Sequence, residues 1–531
     1  MRRFATLLTS IAIAATTSTL HCQMRAVPRA GSEARAEHAY EAAVRGGPLT
    51  LHAFLQNFPK GSDLHVHISG AVYAETLIRD AAEDGLCVNP LMLSFANPPC
   101  AGSLVPAKDL SGNMSAAGQV LYDKLIDAFS TRNFVPTDGW NGHDQFFATF
   151  GRFEGLSRNH LGEWVNQIAT RAAWQNEQYL ELMDTPTFSH ATTIANQIGW
   201  SEQMSSPDVS PADFARLRQE LLAHGLRDEV DIDREEVRKA ETERKELEHC
   251  GTPQAIAACK VEIRYLYQIL RGFPPQQVFA QTLLGFETAQ ADIDAGHGGF
   301  VGINLVMAED GYISMRDYTL QMKMLDYLHS VYPKVHITLH AGELAPGMVP
   351  PSGLRFHIRQ AVELGHAERI GHGVDVMYED HPWQLLKEMA ARHIMVEINL
   401  TSNAVILGIK GDEHPFPIYR EMHVPVSLST DDEGVSRIDL THEYVMAAQE
   451  YHLSYDDLKD LARTGLEHDF LPGEDLWAQR DNFHEPVPAC RGQILGGPKP
   501  TPACKTFLDR SEKAAEEWEL ERRFRAFEAE Q

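Results

Sequence analysis

The stretch SMRDYTLQMKMLDYLHSVYPKVHITLHAGE, residues 314–343, carries the pattern that decides the fold. Its first part, 314–331, reads as an amphipathic helix. After Tyr332 and Pro333, KVHITLH (334–340) reads as a strand, and the chain runs straight on into AGE. A helix feeding a short strand is part of a repeating strand–helix unit. The alternation extends both ways along the chain. SDLHVHISG (62–70), QYLELM (178–183), VEIRYLYQIL (261–270), FVGINLV (300–306), ERIGH (368–372), IMVEINL (394–400) and VPVSLST (424–430) hold the other strand candidates. Amphipathic stretches such as HPWQLLKEMAARH (381–393) lie between most of them. Eight strands alternating with helices predict an α/β fold, a parallel sheet closed as a (β/α)₈ TIM-type barrel.

Outside that pattern the chain divides by composition. MRRFATLLTSIAIAATTSTLHC (1–22) has two arginines, an apolar stretch and small residues, the form of a secretory signal peptide. Cys22 raises lipidation, which Leu20 and His21 disfavour as preceding residues. Residues 23–58 form an N-terminal helical extension, with helices expected over 32–45 and from a Thr50 cap to Pro59. The barrel spans 59–480, with insertions near 86–135 and 205–260. The first is Pro-, Asn-, Ser- and Gly-rich and reads as irregular. The second includes a charged run, 227–249, that reads as a solvated helix. Residues 481–531 form a C-terminal extension ending in SEKAAEEWELERRFRAFEAE, which reads as a surface helix.

Composition narrows the function. The 531 residues are 43% hydrophobic and carry a formal net charge of −27 without a long basic run. That argues against nucleic acid or an anionic membrane surface as partner. No segment after the signal is long and apolar enough to span a bilayer. Apart from Cys22, six cysteines form three sequence-local couples: Cys87 with Cys100, Cys250 with Cys259, and Cys490 with Cys504. There is no CxxC pair to suggest a zinc knuckle. Disulfides in an exported protein, periplasmic or secreted, are the better reading.

In a barrel of this kind chemistry sits at the C-terminal ends of the strands. The first strand delivers His65 and His67 to one side, because alternate residues of a strand face the same way. KVHITLH delivers His340, with Glu343 in the loop that follows. ERIGH delivers His372, and VPVSLST leads into Asp431 and Asp432. A single histidine among 25 could be a satisfied core residue. Ligand-type residues recurring at the same end of four strands are harder to dismiss. His65, His67, His340 and Asp431 make a nitrogen-rich set suited to one zinc ion with room for water. Zinc would bring that water's pKa towards neutrality. His372 could orient or deprotonate the water, and Glu343 could donate a proton.

HVH, HAGE, RIGHG and STDD, in this order, resemble the motifs of the adenosine deaminase family of metal-dependent hydrolases. The resemblance runs from about residue 59 to beyond Asp432. The signal, N-terminal helices and cysteines are similar to its secreted, growth-factor-related branch. The resemblance implies a zinc barrel that converts adenosine or 2′-deoxyadenosine to inosine and ammonia. It implies that His65, His67, His340 and Asp431 hold zinc and that Glu343 protonates the purine ring nitrogen beside the reacting carbon. His372 would assist the water, and Asp432 would hold a nitrogen of the other ring. Two positions depart from the family. Ser69 stands where an aspartate associated with the ribose is common, and Met307 where a glycine often closes on the purine. A related amidohydrolase acting on adenine or a methylated adenosine is therefore the alternative. A secreted nucleoside-binding protein without catalysis is a third reading, which Glu343 and the full ligand set oppose. The expected partner is a small purine nucleoside, and a homodimer stays open.

Overall fold

The computed structural model describes residues 31–112, 114–296 and 298–531. The signal-peptide reading of 1–22 lies outside the described residues. We number the barrel strands β1 (Gly61–His67), β2 (Glu177–Asp184), β3 (Glu262–Leu270), β4 (Phe300–Val306), β5 (His336–Ala341), β6 (Arg369–His372), β7 (Met395–Ile398) and β8 (Val426–Leu428). They follow one another around a single sheet in chain order, and every neighbouring pair is parallel. A parallel bridge between Val66 and Asp431 brings β8 back to β1. There the His67 N–H donates to the Asp431 carbonyl at 3.2 Å, and the Asp431 N–H to the His65 carbonyl at 2.9 Å. The (β/α)₈ barrel expected from the alternation is what the chain forms.

Both faces of each strand are covered, one by the barrel interior and one by helices, so strands such as β1 and β4 are buried at every position. Polar residues in these strands therefore need partners. Well below the mouth of the barrel, Arg369 at the start of β6 has them. Its Nε donates to Glu397 at 2.7 Å, its Nη1 to the His468 carbonyl at 3.0 Å, and its Nη2 to Glu181. The guanidinium also lies over the Phe470 ring, 3.8 Å from the centroid.

Three local expectations change. Thr50 does not cap its helix, which spans Pro48–Leu55 with Gly47 before it. Instead its hydroxyl donates back to the Ala43 and Gly47 carbonyls, joining the turn between two helices. The stretch 86–135 is more regular than its composition suggests. It holds a three-stranded antiparallel sheet (Cys87–Asn89, Ser94–Ala96, Val105–Pro106) and a helix, Ala116–Ala128. Strands of two or three residues leave no alternation to read, and the Cys87–Cys100 bridge staples them. The C-terminal helix Glu512–Glu530 is not a surface element. It buries Leu520, Phe524 and Phe527, with Phe54 and Phe58 packed on the two phenylalanines. A dense run of Glu and Arg concealed the helical spacing of its apolar face.

All three local cysteine couples are bonded, Cys87–Cys100, Cys250–Cys259 and Cys490–Cys504. Three bridges suit an oxidising compartment. Among the described residues no helix is long and apolar enough to cross a membrane.

Candidate active site

The structure brings together the four residues that the strand ends offered as ligands. The Nε2 atoms of His65 and His340 lie 3.1 Å apart, and those of His67 and His340 3.2 Å. Asp431 Oδ1 lies 3.2 Å from His67 Nε2 and 3.5 Å from His65 Nε2. Ligands about 2.0–2.1 Å from a tetrahedral zinc would sit roughly 3.3 Å from one another.

The other ring nitrogens explain why these atoms face inwards. His65 Nδ1 meets Glu397 Oε2 at 2.5 Å, His67 Nδ1 meets Gln268 Oε1 at 2.8 Å, and His340 Nδ1 meets Asn304 Oδ1 at 2.8 Å. Each partner is an acceptor, so each Nδ1 carries the proton and each Nε2 turns a lone pair to the centre. Ser402 donates to Asp431 Oδ2 at 2.6 Å, which leaves Oδ1 as the inward atom. Three lone pairs and a carboxylate oxygen, all buried, repel one another unless a cation lies among them. The residues fit a divalent metal.

Glu397 links this centre to the interior of the barrel. Its Oε1 accepts from Arg369 and from Thr338 at 2.8 Å, while Oε2 takes His65. Burial pushes its carboxyl up, but Arg369 and His65 outweigh that and hold it near 2. Glu397, Gln268 and Asn304 were missed in the sequence. Their signal was a polar residue in the middle of an apolar strand, which IMVEINL, RYLYQIL and FVGINLV all show.

Glu343 and His372 stand beside the ligands. His372 Nε2 is 3.9 Å from Glu343 Oε1 and 3.9 Å from Asp431 Oδ2. Burial, then the Asp431 and Glu309 carboxylates, push the Glu343 carboxyl well above the usual range. Burial holds His372 neutral, pushed down to about 3.

A hydrogen-bond chain fixes which nitrogen of that neutral ring is protonated. The Phe416 backbone N–H donates to His414 Nδ1 at 3.1 Å, so His414 carries its proton on Nε2. That proton goes to Asn403 Oδ1 at 3.0 Å, and the Asn403 amide donates to His372 Nδ1 at 2.9 Å. His372 therefore turns an Nε2–H towards the centre. A donor in that position can orient an incoming oxygen, and it has no lone pair there with which to deprotonate it. Nothing local in the sequence marks Asn403 or His414.

Three of the left-handed non-glycine residues lie at this site. His372 (φ 70°), Asp431 (φ 63°) and Met307 (φ 97°) are left-handed without being glycine. Asp431 is held there by the hydrogen bonds that close the barrel.

Above the centre lies a cavity of about 610 Å³. Its walls include Phe146, Phe147 and Phe150 of the helix Gly142–Arg152, together with Phe273 and Met307. Among the described residues no lysine or arginine lines it, whereas Glu154, Glu343, Asp431 and Asp432 do. Asp432 is buried and its Oδ1 has no hydrogen-bond partner among the described residues. It packs so closely on Gly70 that a Cβ there would lie 1.4 Å from Oδ1. Ser69, half-buried in the short helix Ile68–Ala71 after β1, also lines the cavity. Met307 takes a backbone conformation a glycine would favour, and its sulfur accepts from the Gly272 N–H at 3.3 Å.

The model of the family described as adenosine deaminase matches residues 229–485. That segment holds His340, Glu343, His372, Asp431 and Asp432, and the fold adds His65 and His67 from outside it. An adenosine deaminase of Escherichia coli is 39% identical over 147 residues, covering 28% of this chain and 41% of the relative. One of Clostridium perfringens is 32% identical over 139 residues, covering 26% of this chain and 39% of the relative. The matched stretch thus spans about two fifths of each relative's length. Among solved structures, the Arabidopsis N6-mAMP deaminase is similar at 22% identity with a TM-score of 0.49, covering 79% of this chain and 96% of that one.

Proposed function

We propose that this chain is a zinc-dependent hydrolytic deaminase of purine nucleosides, converting adenosine or 2′-deoxyadenosine to inosine and ammonia. One observation carries the reading. Three imidazole lone pairs and a carboxylate converge beside a cavity that is lined by a buried acid, Glu343, and an imidazole N–H, His372. Binding alone needs neither of the last two. His65, His67, His340 and Asp431 would hold the zinc, whose Lewis acidity makes a water acidic enough to attack near neutral pH.

The side chains supply the rest. Glu343 gives its proton to the ring nitrogen beside the reacting carbon as the water oxygen bonds to that carbon. His372 Nε2–H orients the oxygen. Of the water's two protons, one restores Glu343 and the other leaves with the amine, so the carbon–nitrogen bond breaks to give ammonia and a ring carbonyl. Asp432, through its unpartnered oxygen, would hold a nitrogen of the other ring. A cavity lined, among the described residues, by four carboxylates and by no lysine or arginine favours a neutral nucleoside over a nucleotide.

Met307 and Ser69 favour a second substrate reading, since both reshape the wall where base and sugar would lie. Adenine or a methylated adenosine would then be preferred. Three disulfides support export and the secreted, growth-factor-related branch. The test is ammonia release from adenosine, 2′-deoxyadenosine, adenine, N6-methyladenosine and AMP. Adenosine or its deoxy form should be turned over fastest and AMP least. Preference for adenine or the methylated nucleoside would select the second reading, and no release from any of them would reject deamination.

A further inference from the structure

We infer that Glu309, in the loop after β4, positions the proton donor Glu343, an inference that rests on the functional reading above. The metal ligand His340 and the acid Glu343 are three residues apart, and the chain turns sharply between them. Gly342 makes the turn at φ 77°, and a Cβ there would meet Asp375 Oδ1 at 2.6 Å. A turn with a glycine at its centre has little stiffness of its own.

The stiffness comes from the neighbouring loop. Glu309 Oε1 accepts the Gly342 N–H at 3.0 Å, and Oε2 accepts the Glu343 N–H at 2.8 Å. Two adjacent backbone donors are thus held by one carboxylate, a fork that an amide cannot reproduce because one of its ends is a donor. The fork is itself fixed. His357 Nδ1 donates to Oε1, and the His357 ring stacks on Tyr318 at 3.8 Å between centroids and 8° between planes. The Tyr318 hydroxyl in turn donates to the His357 carbonyl at 2.9 Å. All three side chains are buried. The same loop places Met307 in the cavity wall, and Asp310 meets His143 of the phenylalanine-bearing helix at 3.0 Å. Wall, acid and covering helix therefore share one support.

Glu309 does not line the cavity and acts through Glu343, so its loss should be felt in the chemical step. The test compares wild type, Glu309→Gln, Glu343→Gln and the double variant, each as the zinc-loaded full chain assayed with the best purine substrate. Misplacing a reacting group by about 1 Å can cost of the order of 10² in rate. Glu309→Gln should lower kcat about 10- to 100-fold, leave KM within about threefold and keep its metal. In the Glu343→Gln background the same change should cost less than about threefold, because the group it positions is already gone. Glu309→Asp keeps both acceptors and the charge and should recover part of the rate. It also carries the same cycle if Glu309→Gln does not fold. An unchanged kcat, loss of metal together with activity, or losses that multiply in the double variant would each overturn the inference. A wild-type chain that releases ammonia from no purine fails the functional reading and the inference with it. An active wild type with an unaffected Glu309→Gln fails the inference alone.

Discussion

Two clusters of buried charge share this barrel and are finished differently. Inside it, each nitrogen of Arg369 has its acceptor: Glu397, the His468 carbonyl and Glu181. At the mouth, His372 Nε2 and Asp432 Oδ1 are buried without a hydrogen-bond partner among the described residues, and three histidines aim lone pairs at one point. Buried polar atoms are normally satisfied by the protein itself. The difference separates a cluster that holds the barrel together from one completed by something bound. Glu397 belongs to both, with one oxygen on Arg369 and the other on His65.

Substitutions can break this contrast, and the largest effect should come at the mouth. His67→Ala removes one of the converging lone pairs. It should lose metal and activity together, by more than the roughly 10- to 100-fold typical of an outer partner, while the fold survives. Elemental analysis and an activity assay on the same sample check this. Metal retained at wild-type level would place the site elsewhere.

Glu343→Gln should come next. It keeps shape and hydrogen bonding but has no proton to give. Turnover should fall at least about a hundredfold, the low end for general acid–base catalysis, with the metal retained. Activity near wild type would remove Glu343 from the chemistry.

The paired glutamates sharpen the comparison further. Glu181→Gln strips a charge from the buried Arg369 cluster alone. It should lower stability by roughly 3–5 kcal/mol, the usual cost of breaking a buried pair, and leave metal affinity unchanged. Glu397→Gln touches both clusters. It should destabilise similarly and also weaken metal binding about 10- to 100-fold. Denaturant melts alongside metal titration separate the two. Equal metal affinities in both variants would mean that Glu397 does not orient His65.

What the sequence disclosed follows the same division. His65 and His67 share a face by strand alternation, and His340, Glu343, His372, Asp431 and Asp432 lie at or just after the C-terminal ends of strands, which a parallel barrel gathers at one mouth. Glu397, Gln268 and Asn304 show only as single polar residues within apolar strands, and which histidine each one meets is set by other strands of the sheet. His65 and Glu397 are 332 residues apart in the chain. The hydrogen-bond chain through His414 and Asn403 depends on loops whose course no periodicity specifies. The C-terminal helix was misread because charge density masked its apolar face, and the small sheet in 86–135 because its strands are too short to alternate.

The mildest expected effect is on stability against pH. Burial pushes Asp233 and Glu443 up to about 8. Unfolded carboxyls ionise near 4, so between about pH 4 and 8 the folded chain binds more protons than the unfolded one. The stability they add is fully present below the unfolded value and is lost as pH rises through about 8. Melting temperature should fall by at least about 2 °C from pH 6 to pH 9. A melting temperature that does not fall over that range would mean these carboxyls ionise normally in the folded state.

The most direct test of the central claim is ammonia release from adenosine by protein stripped with a chelator and then titrated with zinc. Stripped protein should be inactive, and activity should return in proportion to zinc and level off at one equivalent per chain. Undiminished deamination by metal-free protein, or no activity at any zinc loading on any purine nucleoside, would contradict it.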